Sequence, residues 1–117
     1  MSDEIRWGVF KADLGSGMGS EQAGQRPVLV ISNDSFNAVM PVVTILPITS
    51  LKPGRKIYPA EVLVQRGEAN LTEDSIVLSH QIRTISKKRL KSSYGYIEAT
   101  QIREKVESAL KTHLDLE

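Results

Sequence analysis

Strand-type apolar patterns fill this chain up to about residue 98, and one helical pattern follows them. Pro27–Ser32 and Val42–Thr49 are β-branched runs of the kind that is buried on both faces of a sheet. Shorter stretches predict further strands at Trp7–Leu14, Ala60–Gln65, Ser75–Ser79, Gln81–Ile85 and Tyr94–Ile97. Because no helical pattern long enough for a parallel crossover separates them, we predict a mainly antiparallel sheet.

The apolar period changes near Ala99. Beyond it, apolar residues recur at the spacing of one helix face and predict an amphipathic C-terminal helix: Ile102, Val106, Ala109, Leu110 and Leu114. Short helical turns are expected at Asp34–Val39 and after Ser86, a good N-cap residue. We therefore predict an α+β fold with a small antiparallel, barrel-like sheet, forming one domain over residues 1–117.

Several protein classes are excluded by composition. The chain has no cysteine, so disulfides, thiol catalysis and thiolate metal sites are impossible. No apolar stretch approaches the roughly 18 residues that a membrane helix needs. The N-terminal residues, from Met1 to Glu4, are partly acidic and contain no apolar segment, so we expect no secretory signal and a cytoplasmic protein.

The formal net charge is only +1, but the charge is unevenly spread. Residues 83–91 contain five cations and no acid, and a smaller group of cations follows residue 51: Lys52, Arg55 and Lys56. Both groups fit either a solvated face or the rim of a site for a polyanion.

Motifs for cofactors, metals and serine hydrolysis are not found. The glycine-rich stretch 15–20 reads Gly-x-Gly-x-Gly, lacks Gly-Lys-Ser/Thr and precedes a strand, so it predicts a mobile loop and no nucleotide site. Such a loop beside a cleft can still grip an extended substrate. His80 and His113 are the only histidines, and neither has a partner at metal-ligand or triad spacing. We therefore expect no cofactor and no metal.

Polar residues stand at the ends of the two apolar runs. Arg26 immediately precedes the first run, and Thr49 and Ser50 lie at the end of the second. If the runs are antiparallel neighbours, Arg26 and Thr49 meet at one edge of the sheet. A guanidinium beside a hydroxyl forms an anion site. The alternative is structural: an ion pair between Arg26 and Glu21, with a turn capped by the threonine.

Three blocks of the sequence resemble one family. Residues 19–34 read GSEQxGxRPVLVISND, residues 47–50 read PITS, and residues 81–85 read QIRTI before the KRL of 88–90. In order and spacing these blocks resemble MazF/PemK-type toxins, over nearly the whole chain.

The resemblance implies an SH3-like barrel with appended helices, a homodimer, and the toxin of a type II toxin–antitoxin pair. It implies a sequence-selective endoribonuclease that cuts single-stranded RNA without a metal, leaving 2′,3′-cyclic phosphate and 5′-hydroxyl ends. The family's essential arginine and threonine match Arg26 and Thr49. The antitoxin would block the RNA groove with an extended segment.

The matched blocks and the cation groups also supply expected RNA contacts. These residues are Ser20, Glu21, Gln22, Ser50, Lys52, Lys56, Gln81 and Arg83.

Two positions depart from the family's usual residues. His80 stands where a carboxylate is common, so it is a candidate acid or base near neutral pH, with base stacking and a plain surface position as alternatives. Glu21 is the other candidate base. Trp7 follows Arg6 where the family has a glycine, and it is either a stacking platform for RNA or a packing residue.

Two other functions compete with the nuclease. A toxin of related fold poisons a DNA topoisomerase by binding, through a tryptophan at the end of its last helix; residues 113–117 here contain none. A degenerate member would bind only RNA or antitoxin, which the presence of both Arg26 and Thr49 disfavours.

Overall fold

The structure, a computed structural model, describes residues 4–117. Met1, Ser2 and Asp3, on which the expectation about a secretory signal partly rests, lie outside the described residues. The described strands are β1 (Gly8–Asp13), β2 (Gln25–Val30), β3 (Val42–Ser50), β4 (Glu61–Val64), β5 (Ser75–Leu78), β6 (Arg83–Ser86) and β7 (Leu90–Tyr96). The helices are α1 (Asp34–Val39) and α2 (Thr100–Leu114), and 3-10 turns lie at Glu68–Asn70, Ser79–Gln81 and Lys87–Arg89.

The seven described strands form one antiparallel sheet in the order β4-β5-β3-β2-β1-β7, with β6 also paired to β3. The predicted α+β class and antiparallel sheet are confirmed. The sheet does not close into a full barrel, because β4 and β7 end the strand order and do not pair with each other.

The central strands β2 and β3 are buried on both faces. Val28 and Val30 enter one apolar cluster, whereas Leu29 between them enters the other. Strand β3 divides its side chains in the same way, with Ile45 on one face and Leu46 on the opposite face. The predicted two-sided burial is therefore confirmed.

Pro47 lies inside β3 at a gap between two neighbouring strands. Residues 42–45 pair with β6 and residues 48–50 pair with β5. Because the N–H of Ile31 donates to the carbonyl of Thr44, residues 44 and 46 turn their backbone groups toward β2, and Pro47 turns toward the gap. The missing N–H of proline therefore costs the sheet no hydrogen bond, in agreement with the irregularity that proline predicts.

Helix α2 packs on the sheet through Val106 and Ala109, which are buried. This agrees with the predicted stripe, except that Leu114 at the end of the helix is exposed. The first turn has no side-chain N-cap; instead the Glu68 carboxylate accepts hydrogen bonds from the N–H groups of Glu98 (2.8 Å) and Ala99 (3.1 Å). Within residues 4–117, neither helix has the length and apolar character that crossing a membrane requires.

Candidate functional site

Arg26 and Thr49 stand at the same end of the β2–β3 ladder. The last paired residues are Val28 and Pro47, and Arg26 and Thr49 each lie two residues beyond them. Thr49 itself pairs with Ile76 of β5. The sequence-based expectation that the two runs are antiparallel neighbours is thus correct.

Arg26 is half-buried and has no ion-pair partner in residues 4–117. Its Nε donates a hydrogen bond to the carbonyl of Ala23 at 2.9 Å. The structural alternative, an ion pair with Glu21, is not formed in the described residues; one Glu21 carboxylate oxygen instead accepts from the N–H of Met18 at 2.8 Å. The guanidinium charge is therefore left uncompensated by any carboxylate of the described chain.

The glycine-rich loop is tied to the turn that follows β5 by one amide side chain. Gln81 Oε1 accepts from the N–H of Gln22 at 2.9 Å, and Gln81 Nε2 donates to the carbonyl of Ser20 at 3.0 Å. At the base of the loop, the N–H of Gly24 donates to the carbonyl of Gly15 at 2.7 Å. The loop is therefore anchored at its base and at one side.

A groove of about 580 Å³ lies between this loop and the turn. Six of the predicted site residues line it: Ser20, Glu21, Gln22, His80, Gln81 and Arg83. Ser16 and Ile82 complete the lining. The structure therefore brings together two parts of the sequence that are about sixty residues apart.

The other predicted residues do not line this groove. Arg26 lies in β2 beyond its last pair with β3, and Thr49 and Ser50 pair with Ile76 and Ser75 in β5. Lys52 and Lys56 lie in the exposed segment between β3 and β4, where Lys56 Nζ is 5.7 Å from the centre of the Tyr58 ring.

The third cation of that segment is not part of a free basic rim. Arg55 binds the Glu61 carboxylate through both of its terminal nitrogens, at 2.8 and 3.1 Å. Arg55 Nη1 also donates to the carbonyl of Lys56. The expectation of a three-cation cluster is corrected to two exposed lysines beside an ion pair.

Glu61 is the residue that sequence reasoning missed. The alternation in β4 indicates a polar, solvent-facing position, yet the Glu61 side chain is only 3% exposed. Hydrogen bonds from the Arg55 guanidinium hold the pKa of this carboxyl below its ordinary value; burial opposes them, and the N–H of Tyr58 assists them. No local pattern marks this position, because its partner lies across a loop that contains proline and glycine.

His80 connects the groove to this buried carboxylate. Its Nδ1 is 3.9 Å from Glu61 Oε2, and its side chain is 37% exposed. The His113 ring from α2 meets it edge-on, with ring centres 6.4 Å apart. His80 is therefore an accessible imidazole with one ring nitrogen facing an anion. These contacts distinguish it from a plain surface histidine.

Trp7 is a packing residue. It is 6% exposed and lies in the larger apolar cluster. The guanidinium groups of Arg6 and Arg103 lie 5.2 and 5.3 Å from the centre of its ring. The hypothesis that Trp7 is a stacking platform for RNA is therefore wrong for this conformation, because the ring is already covered.

The cations of residues 83–91 are divided among several contacts. Arg83 lines the groove, whereas Lys87 Nζ donates to the carbonyl of Asn37 at 2.5 Å and Arg89 Nη1 donates to that of Asp13 at 2.9 Å. In the part of the chain that the structure describes, no three His, Asp or Glu side chains come together as a metal site would require.

A family model described as a PemK-like, MazF-like toxin of type II toxin–antitoxin systems matches residues 5–114. Among solved structures, an endoribonuclease in complex with its cognate antitoxin, from a Mycobacterial species, is similar at 25% identity with a TM-score of 0.78. The match covers 97% of this chain and 96% of that one.

Two further solved structures share the fold. MazF from Deinococcus radiodurans is 24% identical with a TM-score of 0.78, over 95% of this chain and 96% of that chain. The Mycobacterium tuberculosis toxin MazF-mt6 is 24% identical with a TM-score of 0.76, over 94% of this chain and 98% of that chain.

Proposed function

Because the chain belongs to the family of PemK-like, MazF-like toxins of type II toxin–antitoxin systems, we propose that it is a metal-independent endoribonuclease that cuts single-stranded RNA. The observation that carries this proposal is the placement of Arg26. It is a half-buried cation without a carboxylate partner in the described chain, and it lies beyond the same end of the β2–β3 ladder as Thr49.

A guanidinium beside a hydroxyl suits the transition state of RNA cleavage. In the proposed reaction the ribose 2′-oxygen forms a bond to the adjacent phosphorus, and the bond from phosphorus to the 5′-oxygen breaks. The products are a 2′,3′-cyclic phosphate and a 5′-hydroxyl. Arg26 would stabilise the charge on the phosphoryl oxygens, and Thr49 would donate a hydrogen bond to one of them.

The reaction also moves two protons. The 2′-hydroxyl loses its proton to a base, and the leaving 5′-oxygen gains one from an acid. Both candidates line the groove, but Glu21 already accepts the N–H of Met18, whereas the Nδ1 of His80 lies 3.9 Å from the Glu61 carboxylate. We therefore assign His80 to proton transfer.

The groove residues would hold the RNA on either side of the scissile bond. Ser20, Glu21 and Gln22 would contact it from the loop, and Gln81 and Arg83 from the opposite wall. Ser50, Lys52 and Lys56 would contact the strand as it leaves the groove, the lysines through its phosphates. The 2′-hydroxyl requirement would exclude DNA.

The proposed partners follow the family. The toxin would be a cytoplasmic homodimer, and its cognate antitoxin would occupy the RNA groove with an extended segment. The Mycobacterial endoribonuclease in complex with its cognate antitoxin supports the antitoxin partnership.

A cleavage assay in EDTA tests the activity. We expect purified protein to cut a long RNA of mixed sequence at a limited set of sites, leaving cyclic phosphate ends, while DNA of the same sequence stays intact. An RNA that remains whole under these conditions would refute the nuclease and favour a toxin that acts by binding alone.

A further inference from the structure

The two oxygens of the buried Glu61 carboxylate have different partners. Oε1 accepts from Arg55 Nη1 at 2.8 Å and from the backbone N–H of Tyr58 at 3.0 Å. Oε2 accepts from Arg55 Nη2 at 3.1 Å and lies 3.9 Å from Nδ1 of His80. The oxygen with fewer donors is therefore the one that faces the histidine.

This contact joins an anion to a ring that opens on the groove. The Glu61 side chain is 3% exposed, whereas that of His80 is 37% exposed and lines the proposed RNA groove. Hydrogen bonding by Arg55 is the main cause that keeps the pKa of the Glu61 carboxyl below its ordinary value, and the nearby charge of His80 is a smaller one. The group that His80 meets is therefore an ionised carboxylate.

Backbone pairing fixes both partners of the contact. Glu61 pairs with Leu78 in the β4–β5 ladder, and the N–H of Ser79 donates to the carbonyl of Ala60 at 3.1 Å. The paired backbone thus extends to the residue directly before His80. The contact therefore depends on two paired strands and not on a free loop.

The position of the anion decides which nitrogen of His80 is available to the substrate. Nδ1 faces Glu61, so Nε2 is the nitrogen left for RNA. A neutral imidazole carries its one proton on either nitrogen, and a carboxylate beside Nδ1 selects the form with the proton there. At 3.9 Å the contact is longer than a hydrogen bond, and such contacts at catalytic groups often tighten when substrate binds.

We propose that Glu61 is a positioning residue for RNA cleavage: its carboxylate holds a proton on Nδ1 of His80 and so leaves Nε2 free to accept the proton of the 2′-hydroxyl. This role rests on the proposed nuclease function. Because Glu61 does not line the groove, it acts through the His80 ring and not on the RNA itself.

The proton transfers are balanced in this role. The proton of the 2′-hydroxyl moves to Nε2 as the 2′-oxygen bonds to phosphorus. The ring becomes an imidazolium with a proton on each nitrogen, and the Glu61 carboxylate stabilises its positive charge. The proton on Nε2 passes to water after the product leaves, which restores the neutral ring. The proton that the 5′-oxygen gains is a separate transfer from an acid.

The tautomer of His80 tests this role in the absence of RNA. Long-range proton–nitrogen NMR spectra of the isotope-labelled full chain, recorded at about pH 9 where imidazoles are neutral, show which ring nitrogen carries the proton. The His80 signals are those that are missing from His80→Ala. We expect the wild type to carry the proton on Nδ1.

The Glu61→Gln variant should reverse this tautomer. The donors Arg55 Nη1 and the N–H of Tyr58 select the amide oxygen for the Oε1 position, so the amide nitrogen faces His80. A donor at that place requires an unprotonated Nδ1, and the ring proton moves to Nε2. The matched control is Glu104→Gln, which makes the same change at an exposed carboxylate of α2 and should keep the proton on Nδ1.

Cleavage rates show whether Glu61 acts through His80. Glu61→Gln should lower kcat at least about tenfold and keep KM within about twofold, because Glu61 does not line the groove. In the His80→Ala background the same change should alter kcat by less than about twofold, since the ring that it acts through is gone.

Three results would overturn the role of Glu61. A proton on Nε2 in the wild type would do so even if Glu61→Gln does not fold, because that spectrum needs no variant. An unchanged kcat in Glu61→Gln, or an equal loss in both backgrounds, would exclude action through His80. A protein that cuts no RNA in EDTA would refute the proposed nuclease and this role with it, whereas a protein that cuts RNA with the proton on Nε2 would refute the role of Glu61 alone.

Discussion

At the scale of single residues, the proposed chemistry depends on a few side chains with distinct surroundings. Arg26 has a backbone carbonyl and no carboxylate as its partner within the described chain, whereas Arg55 is bound by Glu61 and Arg6 lies 3.6 Å from Glu107. In the sequence, these three of the seven arginines differ in nothing but position. Their contacts leave Arg26 without a carboxylate partner, and this is the state that suits binding of a phosphate.

Replacing Arg26 tests this difference. Arg26→Ala should lower kcat/KM for RNA cleavage by about 100-fold or more, the usual cost of removing a donor to a developing oxyanion. Arg26→Lys should recover little of the lost kcat/KM, because an ammonium group cannot bind two phosphoryl oxygens at once as a planar guanidinium does. The matched control is Lys111→Ala, which removes one exposed cation from α2 and should leave cleavage and the thermal midpoint unchanged. Full cleavage by folded Arg26→Ala would refute the assignment.

His80 offers a comparison between two histidines that are in contact. His80→Ala should slow cleavage at least about tenfold, within the range of a group that transfers a proton. His113→Ala removes the ring that meets His80 edge-on and should change the rate by less than about threefold, since His113 does not line the groove. Single-turnover rates on one oligonucleotide measure both. Equal rates for wild type and His80→Ala would identify His80 as a bystander.

At the scale of elements, the groove exists because a loop and a turn are fastened together. The glycine-rich loop and the residues that lead from it into β2 include three glycines with positive φ, Gly15, Gly19 and Gly24. Glycine adopts this conformation without strain, so the chain can reverse here. Its composition correctly predicts a loop. The two hydrogen bonds from Gln81 add what composition does not show, a defined distance between the loop and the opposite wall.

Removing the Gln81 amide should release the loop. Gln81→Leu loses two hydrogen bonds, worth about 1 kcal/mol each, so the Gln22 amide should exchange with solvent at least about tenfold faster. Gln81→Glu keeps an acceptor for Gln22 and should have an intermediate effect. The amide of Gly24 is the internal control, because its bond to Gly15 does not involve Gln81. Unchanged exchange at Gln22 in Gln81→Leu would contradict the contact.

At the scale of the whole molecule, the buried Glu61 joins separate parts of the chain. It accepts from Arg55 and Tyr58 in the segment before β4, and it faces His80 in the turn after β5. Arg55→Met should lower the free energy of unfolding, because it leaves the Glu61 carboxylate without its main partner. The double variant Arg55→Met/Glu61→Leu should recover most of that loss in denaturant unfolding. A double variant as unstable as the single one would show that the pair is not the cause.

The same carboxylate gives stability a defined pH dependence. Its pKa in the folded protein lies below the unfolded value of 4.5, so its contribution is complete above that value and is lost as the pH falls through the folded pKa. The difference in unfolding free energy between wild type and Glu61→Gln should therefore be largest above pH 4.5 and shrink as the pH falls below that value. A difference that stays constant over this range would show that Glu61 has no lowered pKa.

Much of the fold follows from local patterns. Strand periods, the turn residues and the helical stripe depend on neighbours within a few positions, and β1, β2, β3 and α2 appear close to where the sequence predicts them. Strand β7 is longer than expected, since it begins at Leu90, four residues before the predicted strand. Residues 91–93, which follow Leu90, are polar and exposed and therefore lack an apolar period, while β1 pairs with this part of the strand.

The site was predictable only in part, because local patterns do not show contacts between distant segments. The family blocks give Arg26, Thr49 and the loop residues in one sequence order, and the antiparallel pairing of two apolar runs leaves the first two beyond the same end of the ladder. The local sequence pattern predicts neither the burial of Glu61 nor its ion pair with Arg55. The sequence shows only charges, and the same charge acts differently in water and in a hydrogen-bonded interior.

The sequence by itself determined the family, the antiparallel α+β class, the two-sided burial of β2 and β3, and the pair Arg26 and Thr49 as candidates. Only the tertiary structure decided that Trp7 is covered, that Gln81 fastens the loop, that Glu68 caps α2 and that Arg55 pairs with the buried Glu61. The first group depends on residues close in sequence or on matched blocks. The second depends on contacts between distant segments, whose hydrogen bonds and burial form only when the sheet and α2 pack together.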